Sequence, residues 1–261
     1  MAETIKIVKD ASEVEFSNFT LEGIPINRRS TLKDRAFQDG VVDTSDGKLK
    51  NNVLTLNGAL YGASFVLQQL IIRTIAASWN DFKLYRSASG SYDYYYNIKK
   101  VLSMEENWIE GQDYDAANYE LKLLVTDPYV YKHTATSDTI TVDSSPKTDT
   151  VSNDANGAPV YPVITVTADT TISSLTVENL SDVPEGASDG LQFTYLDPNF
   201  VNTDELIIDC QNGTVEREGT NTIRYFSGNF IRLLTGNNSI KVTCQTSGAT
   251  TVKFDFNERY Y

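Results

Sequence analysis

Histidine is nearly missing from this sequence: His133 is the only one in 261 residues. That removes the residue on which serine-type triads and most zinc sites depend. Cysteine is almost as scarce, and two residues, Cys210 and Cys244, are too few for a disulfide framework. Each ends an apolar β run, so both read as small buried strand residues, with a disulfide or metal pair as the open alternative. Basic residues are in deficit: 22 Lys+Arg stand against 35 Asp+Glu, a formal net charge of −13. Residues 1–143 carry 15 basic and 20 acidic groups, and residues 144–261 carry 7 and 15. Neither part has the basic excess that sequence-independent nucleic-acid binding demands.

Long apolar runs are lacking too. The most apolar stretch, residues 65–79, is broken by Gln68, Gln69 and Arg73 and falls short of the ~20 residues that span a bilayer. Residues 1–8 show neither the apolar core nor the cleavage pattern of a signal peptide, so synthesis and retention in a cytoplasm are expected. The Asn-x-Ser/Thr triplets at Asn18, Asn179, Asn212 and Asn237 then carry no glycosylation meaning. No Gly-rich phosphate loop follows a strand, and no Gly-x-Ser-x-Gly elbow occurs. The string 153–157 (Asn-Asp-Ala-Asn-Gly) has oxygen ligands suited to calcium but no closing glutamate, so no metal or cofactor is expected.

What is present is β-forming sequence. Residues 14–16 and 19–21 alternate with period two, and Gly23-Ile-Pro25 breaks the run. Asp46-Gly47 between residues 40–42 and 53–56 suggests a hairpin. One helix is expected over 64–80, with Ser64 as N-cap. Phe65, Leu67, Leu70, Ile71, Ile72, Ile75 and Trp79 cover most of its circumference, so it should pack on a sheet. Strands resume at 82–85 and 93–100 and end in 119–125, where Asp127-Pro128 is expected to stop the last strand. Residues 134–160 are rich in Thr, Ser, Asp, Asn, Gly and Pro. From 161 onward, β runs recur at 163–166, 172–177, 191–196, 206–210, 222–226, 239–244 and 250–256, with Asn212-Gly213 as a type I′ turn signal. The chain therefore reads as mainly β in three parts. Residues 1–134 form a β-sandwich-like domain with one packed helix, 135–160 a linker and entry strand, and 161–261 a jelly-roll-type β-sandwich.

Paired carboxylates suffice for glycoside hydrolysis, which makes two acidic clusters candidates: Glu105, Glu106, Glu110, Asp113, Asp115 and Asp204, Glu205, Asp209. The first reads as a solvated loop, and Asp209 as an exposed or turn-capping residue. No catalytic residue is assigned, and no enzyme activity is expected. The tyrosine run 94–96 places Tyr94 and Tyr96 on one strand face and Tyr95 on the other, suggesting core packing on one side and a protein contact on the other.

Several segments together resemble the distal tail protein (Dit) family of siphophages and prophages. They are Leu-Lys-Leu-Leu-Val-Thr-Asp-Pro-Tyr-Val-Tyr at 121–131, Pro-Val-Ile-Thr-Val at 162–166, and Asp-Cys-Gln-Asn-Gly-Thr-Val at 209–215. Ser-Gly-Asn-Phe-Ile-Arg-Leu-Leu-Thr-Gly-Asn-Asn-Ser-Ile at 227–240 and a terminal Glu-Arg-Tyr-Tyr complete the set. The resemblance implies a galectin-like C-terminal sandwich and a structural role in the virion. N-terminal modules would form a hexameric ring between the tail tube and the tail-tip or tail-associated lysin protein. The sandwiches would offer a platform for receptor-binding or fibre proteins, and DNA would pass the lumen without specific binding. Assembly in the host cytoplasm and residence at the tail tip follow, with no membrane involved. A ring closes through heterologous contacts. On charge grounds, Arg28, Arg29, Lys33 and Arg35 would meet Glu105, Glu106 and Glu110 of the next copy, with Tyr94 and Tyr96 also at the interface. The alternatives are a carbohydrate-binding adhesin, another tail-tube or virion β-sandwich component, or a glycosidase.

Overall fold

The structure, a computed structural model, describes residues 4–22, 32–34, 41–43, 52–62, 64–78, 80–87, 92–109, 116–155, 158–245 and 249–260. The chain divides into two compact units, Met1–His133 and Thr134–Tyr260.

The first unit contains β1 (Thr4–Lys9), β2 (Ser12–Glu22), β3 (Leu32–Asp34), β4 (Val41–Asp43) and β5 (Asn52–Tyr61). Helix α1 (Phe65–Ser78) follows, then β6 (Asn80–Ser87), β7 (Tyr94–Trp108) and β8 (Ala116–Lys132). Strands run in the order β8-β5-β2-β1-β6-β7, and β7 pairs back onto β8. The circuit is in effect two sheets that share their longest strands. Residues 12–16 of β2 pair with β1, whereas residues 17–22 pair with β5. Residues 94–100 of β7 lie beside β6, and residues 101–108 pair only with β8. Register shifts at Ser17/Thr20 and between Tyr96 and Ser103 mark where β2 and β7 pass from one sheet to the other, as bulges allow.

Alternation fixes which side faces inward. Leu21, Leu56, Leu121 and Met104 lie in one cross-strand row on the core, and Thr20, Asn57, Glu120 and Glu105 form the adjacent outward row. Gly58 leaves room for Phe16, whose ring would lie 2.9 Å from an added Cβ. Phe65, Ile72 and Ile75 of α1 complete this core. The expected hairpin across Asp46-Gly47 does not join β4 to β5. β4 pairs with β3, β5 pairs with β2 and β8, and residues 44–51 lie outside the described set. Asp127-Pro128 does not end β8 either. Four residues, 126–129, separate Val125 from Val130 opposite the single Asn97 between Ile98 and Tyr96. The proline thus falls in a bulge, where no ladder hydrogen bond is required of it.

The second unit contains β9 (Thr136–Val142), β10 (Lys147–Asn153), β11 (Val163–Thr167), β12 (Leu175–Asn179), β13 (Leu191–Tyr195) and β14 (Glu205–Asp209). They are followed by β15 (Thr214–Arg217), β16 (Thr220–Asn221), β17 (Phe226–Gly228), β18 (Gly236–Cys244) and β19 (Thr250–Phe256). Two sheets, β10-β18-β12-β13-β17 and β16-β15-β14-β11-β19-β9, enclose one apolar core. The chain is mainly β, as its sequence predicts.

Two details differ from expectation. Residues 135–160 are not merely a linker with an entry strand: β9 and β10 each add a full edge strand, one to each sheet. Their Thr- and Ser-rich composition looks like loop, but Thr is β-branched, and an edge strand needs only one apolar face. Residues 222–226, expected as strand, mostly form a 3-10 turn at Ile223–Tyr225.

Candidate functional site

The acidic candidates are held in local structure. The Asp209 carboxylate accepts the backbone N–H groups of Gln211 (2.9 Å) and Asn212 (2.8 Å), capping the four-residue turn from β14 to β15. Gly213 alone in that turn has positive φ, so the expected two-residue I′ turn is replaced by a longer, side-chain-capped one. Asp204 accepts from Arg217 Nη1 at 2.9 Å. Cys210 and Cys244 are free and buried, and burial pushes their thiols up to about 12 and about 11. His133 is exposed, its ring edge-on to Tyr85 at 5.1 Å. Among the described residues no group of His, Cys, Asp or Glu is arranged to hold a metal.

The residues named for an interface are only partly described. Arg28, Arg29, Arg35 and Glu110 lie outside the described residues, as does the side chain of Lys33. Tyr96 turns into the core and is 5% exposed, whereas Tyr94, two residues nearer the strand start, is 42% exposed. Tyr95 packs on the opposite side with Tyr85 and Tyr131, at ring separations of 5.4 and 5.5 Å, and Lys83 Nζ stands 4.1 Å over its ring. Tyr95 and Tyr96 thus pack within the chain on opposite faces of the run, and Tyr94 stays partly exposed. Glu105 points outward beside Glu120.

Glu106 has partners of its own. Its carboxylate accepts from Arg73 Nη2 at 2.8 Å, Arg73 Nε at 3.1 Å and the Tyr119 hydroxyl at 3.1 Å, and also from Gln69 Nε2. Partial burial pushes this carboxyl up, but the hydrogen bonds outweigh it and hold it below the ordinary range. Burial and the Glu106 charge together push the Tyr119 phenol well up. This network ties α1 to β7 and β8.

The same helix carries the largest departure from expectation. Its N-terminal end opens as predicted: the Ser64 carbonyl accepts the Gln68 N–H at 3.0 Å, and Ser64 Oγ accepts Gln68 Nε2 at 3.1 Å. One face, through Phe65, Ile72 and Ile75, is buried. The other is not: Val66, Leu67 and Leu70 are 68, 62 and 64% exposed. At 100° per residue these three share an arc with Thr74 and Ala77, and Arg73 at its margin is committed to Glu106. Burying each of the three would contribute about 1.5–3 kcal/mol, which makes this bare arc the candidate interaction surface of the first unit. Trp108, 49% exposed, adjoins it, its ring 5.6 Å from that of Phe65. Because Gln69 and Arg73 at the margin of the arc reach β7, the arc begins on the β7 side of the module.

Open strand edges complete the picture. In the sheet formed by β2 (17–22), β5, β8 (116–125) and β7 (101–108), both outermost strand segments lack a second partner strand among the described residues. Such edges are templates for pairing with another chain. A helical wheel of 64–80 contains the signal for the exposed arc, since apolar residues go nearly all the way round. The open edges depend on topology and leave no local trace.

The second unit holds the segment 227–240 by internal bonds. Asn238 Oδ1 accepts the Leu234 N–H at 2.8 Å, and its Nδ2 donates to the Leu234 carbonyl at 2.8 Å and the Gly236 carbonyl at 3.0 Å. Arg232 grips Asp182 at 2.6 and 3.0 Å. At Gly228, φ is +104° and an added Cβ would sit 2.6 Å from the Gln192 carbonyl oxygen, so only glycine fits.

Comparison with known proteins agrees with this architecture. No curated protein matches the chain by sequence. The Dit protein of phage SPP1, described as a paradigm of the hub adsorption apparatus in phages that infect Gram-positive bacteria, superposes over 100% of both chains. Its TM-score is 0.72 at 15% identity. A chain of the phage P2 baseplate in its activated conformation with Ca matches over 99% of this chain and 98% of its own, with a TM-score of 0.50 at 7% identity. Residues 155–260 match the family model for the siphovirus-type tail component, C-terminal domain. The resemblance to phage distal tail proteins seen in the sequence is thereby borne out: residues 155–260 match the model of the siphovirus-type tail component C-terminal domain, and the chain shares its fold with the Dit protein of phage SPP1 over the full length.

Proposed function

We propose that this chain is a structural, non-enzymatic component of a phage tail. It acts as a distal tail protein that forms a hexameric ring between tail tube and baseplate and offers a platform to adsorption proteins. The observation that carries the reading is the family match of residues 155–260, on a fold shared along the full length with a hub protein. Self-assembly is supported by the exposed Val66, Leu67 and Leu70 on a helix of the first unit. Passage of DNA without gripping it suits an outward sheet face bearing Glu105 and Glu120. The adhesin reading gains no support from the second unit. Its outward side chains on the central strands include Thr165, Lys253, Thr176, Thr194 and Lys241, and among the described residues of those strands no aromatic row faces outward for sugar stacking.

Negative-stain electron microscopy of the purified full chain tests the proposal. Discrete six-fold rings are expected; long stacked tubes would point to a tube protein instead. Particles that never exceed a monomer, alone or with tail tubes, would overturn the reading.

A further inference from the structure

We infer that Asn212-Gly213 is a latent modification site: a dipeptide primed for spontaneous deamidation, which Asp209 holds unreacted in the folded chain.

The chemistry needs only water. The backbone nitrogen of Gly213 attacks Cγ of the Asn212 side chain, and Nδ2 leaves as ammonia with the proton that Gly213 gives up. One water then opens the five-membered imide at either carbonyl, giving aspartate or isoaspartate at 212. Glycine is the most permissive residue to follow the asparagine, since no Cβ hinders its nitrogen or restricts the backbone rotation that ring closure needs. Three Asn-Gly pairs occur in the chain, at 57–58, 156–157 and 212–213. Asn57-Gly58 lies inside β5, with Asn57 opposite Thr20 on one side and Glu120 on the other. Residues 156–157 lie outside the described set. Asn212 is exposed, in a turn beyond the last strand pair, Asp209 and Thr214, so no ladder holds it in place.

Side-chain and turn bonds hold it instead. Asn212 Nδ2, the nitrogen that would leave, donates to Asp209 Oδ2 at 2.7 Å. The Asn212 N–H donates to Asp209 Oδ1 at 2.8 Å, so one carboxylate grips the residue at backbone and side chain together. The Gly213 N–H, whose nitrogen would attack, donates to the Asp209 carbonyl oxygen at 2.9 Å. The ring of Phe230 lies against the same glycine, its Cε2 3.4 Å from where a Cβ would stand. Ring closure must break the amide's bond to Asp209, swing Asn212 Cγ toward Gly213 and free the Gly213 N–H. The reaction therefore runs only in the fraction of time that the turn is open.

A lapse would alter the fold locally. Isoaspartate adds a methylene to the turn backbone and would draw Gly213 away from Phe230. That ring stacks on Phe226 at 4.5 Å, and Phe226 on the buried Phe193 at 5.2 Å. The Asp209 carboxylate thus protects the covalent chain as well as the shape of the turn.

Peptide mapping of the full chain by mass spectrometry tests this. Wild type, Asp209→Ala and Asp209→Ser are held in mildly alkaline buffer, folded or in guanidinium, and conversion at Asn212 is followed over time. Circular dichroism checks that each variant is folded. Serine keeps an oxygen that can cap a turn N–H, one atom short of the reach to the Asn212 amide, so it retains the turn if alanine does not. Conversion in folded wild type is expected to be at least about tenfold slower than in guanidinium, and about tenfold faster in a folded variant than in folded wild type. Equal rates in folded and unfolded wild type would overturn the inference. A folded variant that converts no faster than wild type would remove Asp209 as the restraint.

Discussion

At Glu106, one carboxylate serves three donors from two elements, and that concentration makes it a sensitive point of the first unit. Replacing it by alanine leaves Gln69, Arg73 and Tyr119 short of an acceptor, and a loss of about 1–3 kcal/mol in urea unfolding is expected. The pH dependence has a definite sign. Because the folded carboxyl is held below its ordinary value, its stabilisation is complete above the unfolded value of about 4.3 and disappears as pH falls through the folded one. Wild type and Glu106→Gln should therefore differ in urea midpoint at pH 7 and converge in acid; a gap that widens on acidification would contradict this. The cysteines make an opposite case, since burial dominates their titration. With both thiols pushed up and enclosed, neither should react with iodoacetamide at pH 8 in the folded chain, and both should react in urea, as counted by mass spectrometry.

Among the elements, those with strong alternation are legible in the sequence itself. β11, β14, β18 and β19 fall where Val, Ile and Phe recur at every second position, and α1 falls where the apolar period lengthens to 3.6. The elements that escape such a reading have physical reasons. β9 and β10 bury only alternate residues such as Ile140, Val142 and Val151 among Thr and Ser, so their composition imitates a loop. β8 continues through Asp127-Pro128 because a bulge opposite Asn97 takes up the proline, and pairing of that kind is invisible locally. The outer arc of α1 is plainly apolar in sequence and suggests a core, because a single sequence does not separate burial within a chain from burial against a neighbour. Turn chemistry is half legible: Gly213 announces the turn, whereas the Asp209 cap that lengthens it is one option among several for an acidic strand end. Substituting Asp209→Ala removes that cap and should cost about 1–2 kcal/mol in thermal or urea unfolding. Gly228→Ala strikes harder, combining a left-handed φ with a backbone collision at Gln192. A drop in melting temperature well beyond that of Asp209→Ala is expected by differential scanning fluorimetry.

For the molecule as a whole, the two units differ in what they expose. In the second, Asn179, Asn238, Asp182 and Arg232 are bonded internally, and the outward positions of its central strands include the small or charged Thr165, Thr176, Thr194, Lys241 and Lys253. The first has apolar surface and strand edges to offer. Assembly should accordingly tolerate substitutions on the outward faces of the second unit, such as Thr176→Ala or Thr194→Ala, while Leu70→Asp abolishes it. Sedimentation velocity of the three variants at equal concentration checks this, and equal loss in all would refute the division.

β2 ends at Glu22 and β5 begins at Asn52, and Glu22 stands directly across from Thr55. The two exits are neighbours on one strand pair, so whatever spans them has only a short gap to close. Doubling the length of such an excursion costs only about 0.6 kcal/mol in closure entropy. A foreign peptide inserted between Glu22 and Asn52 would therefore add little closure entropy to the strand pair that flanks it.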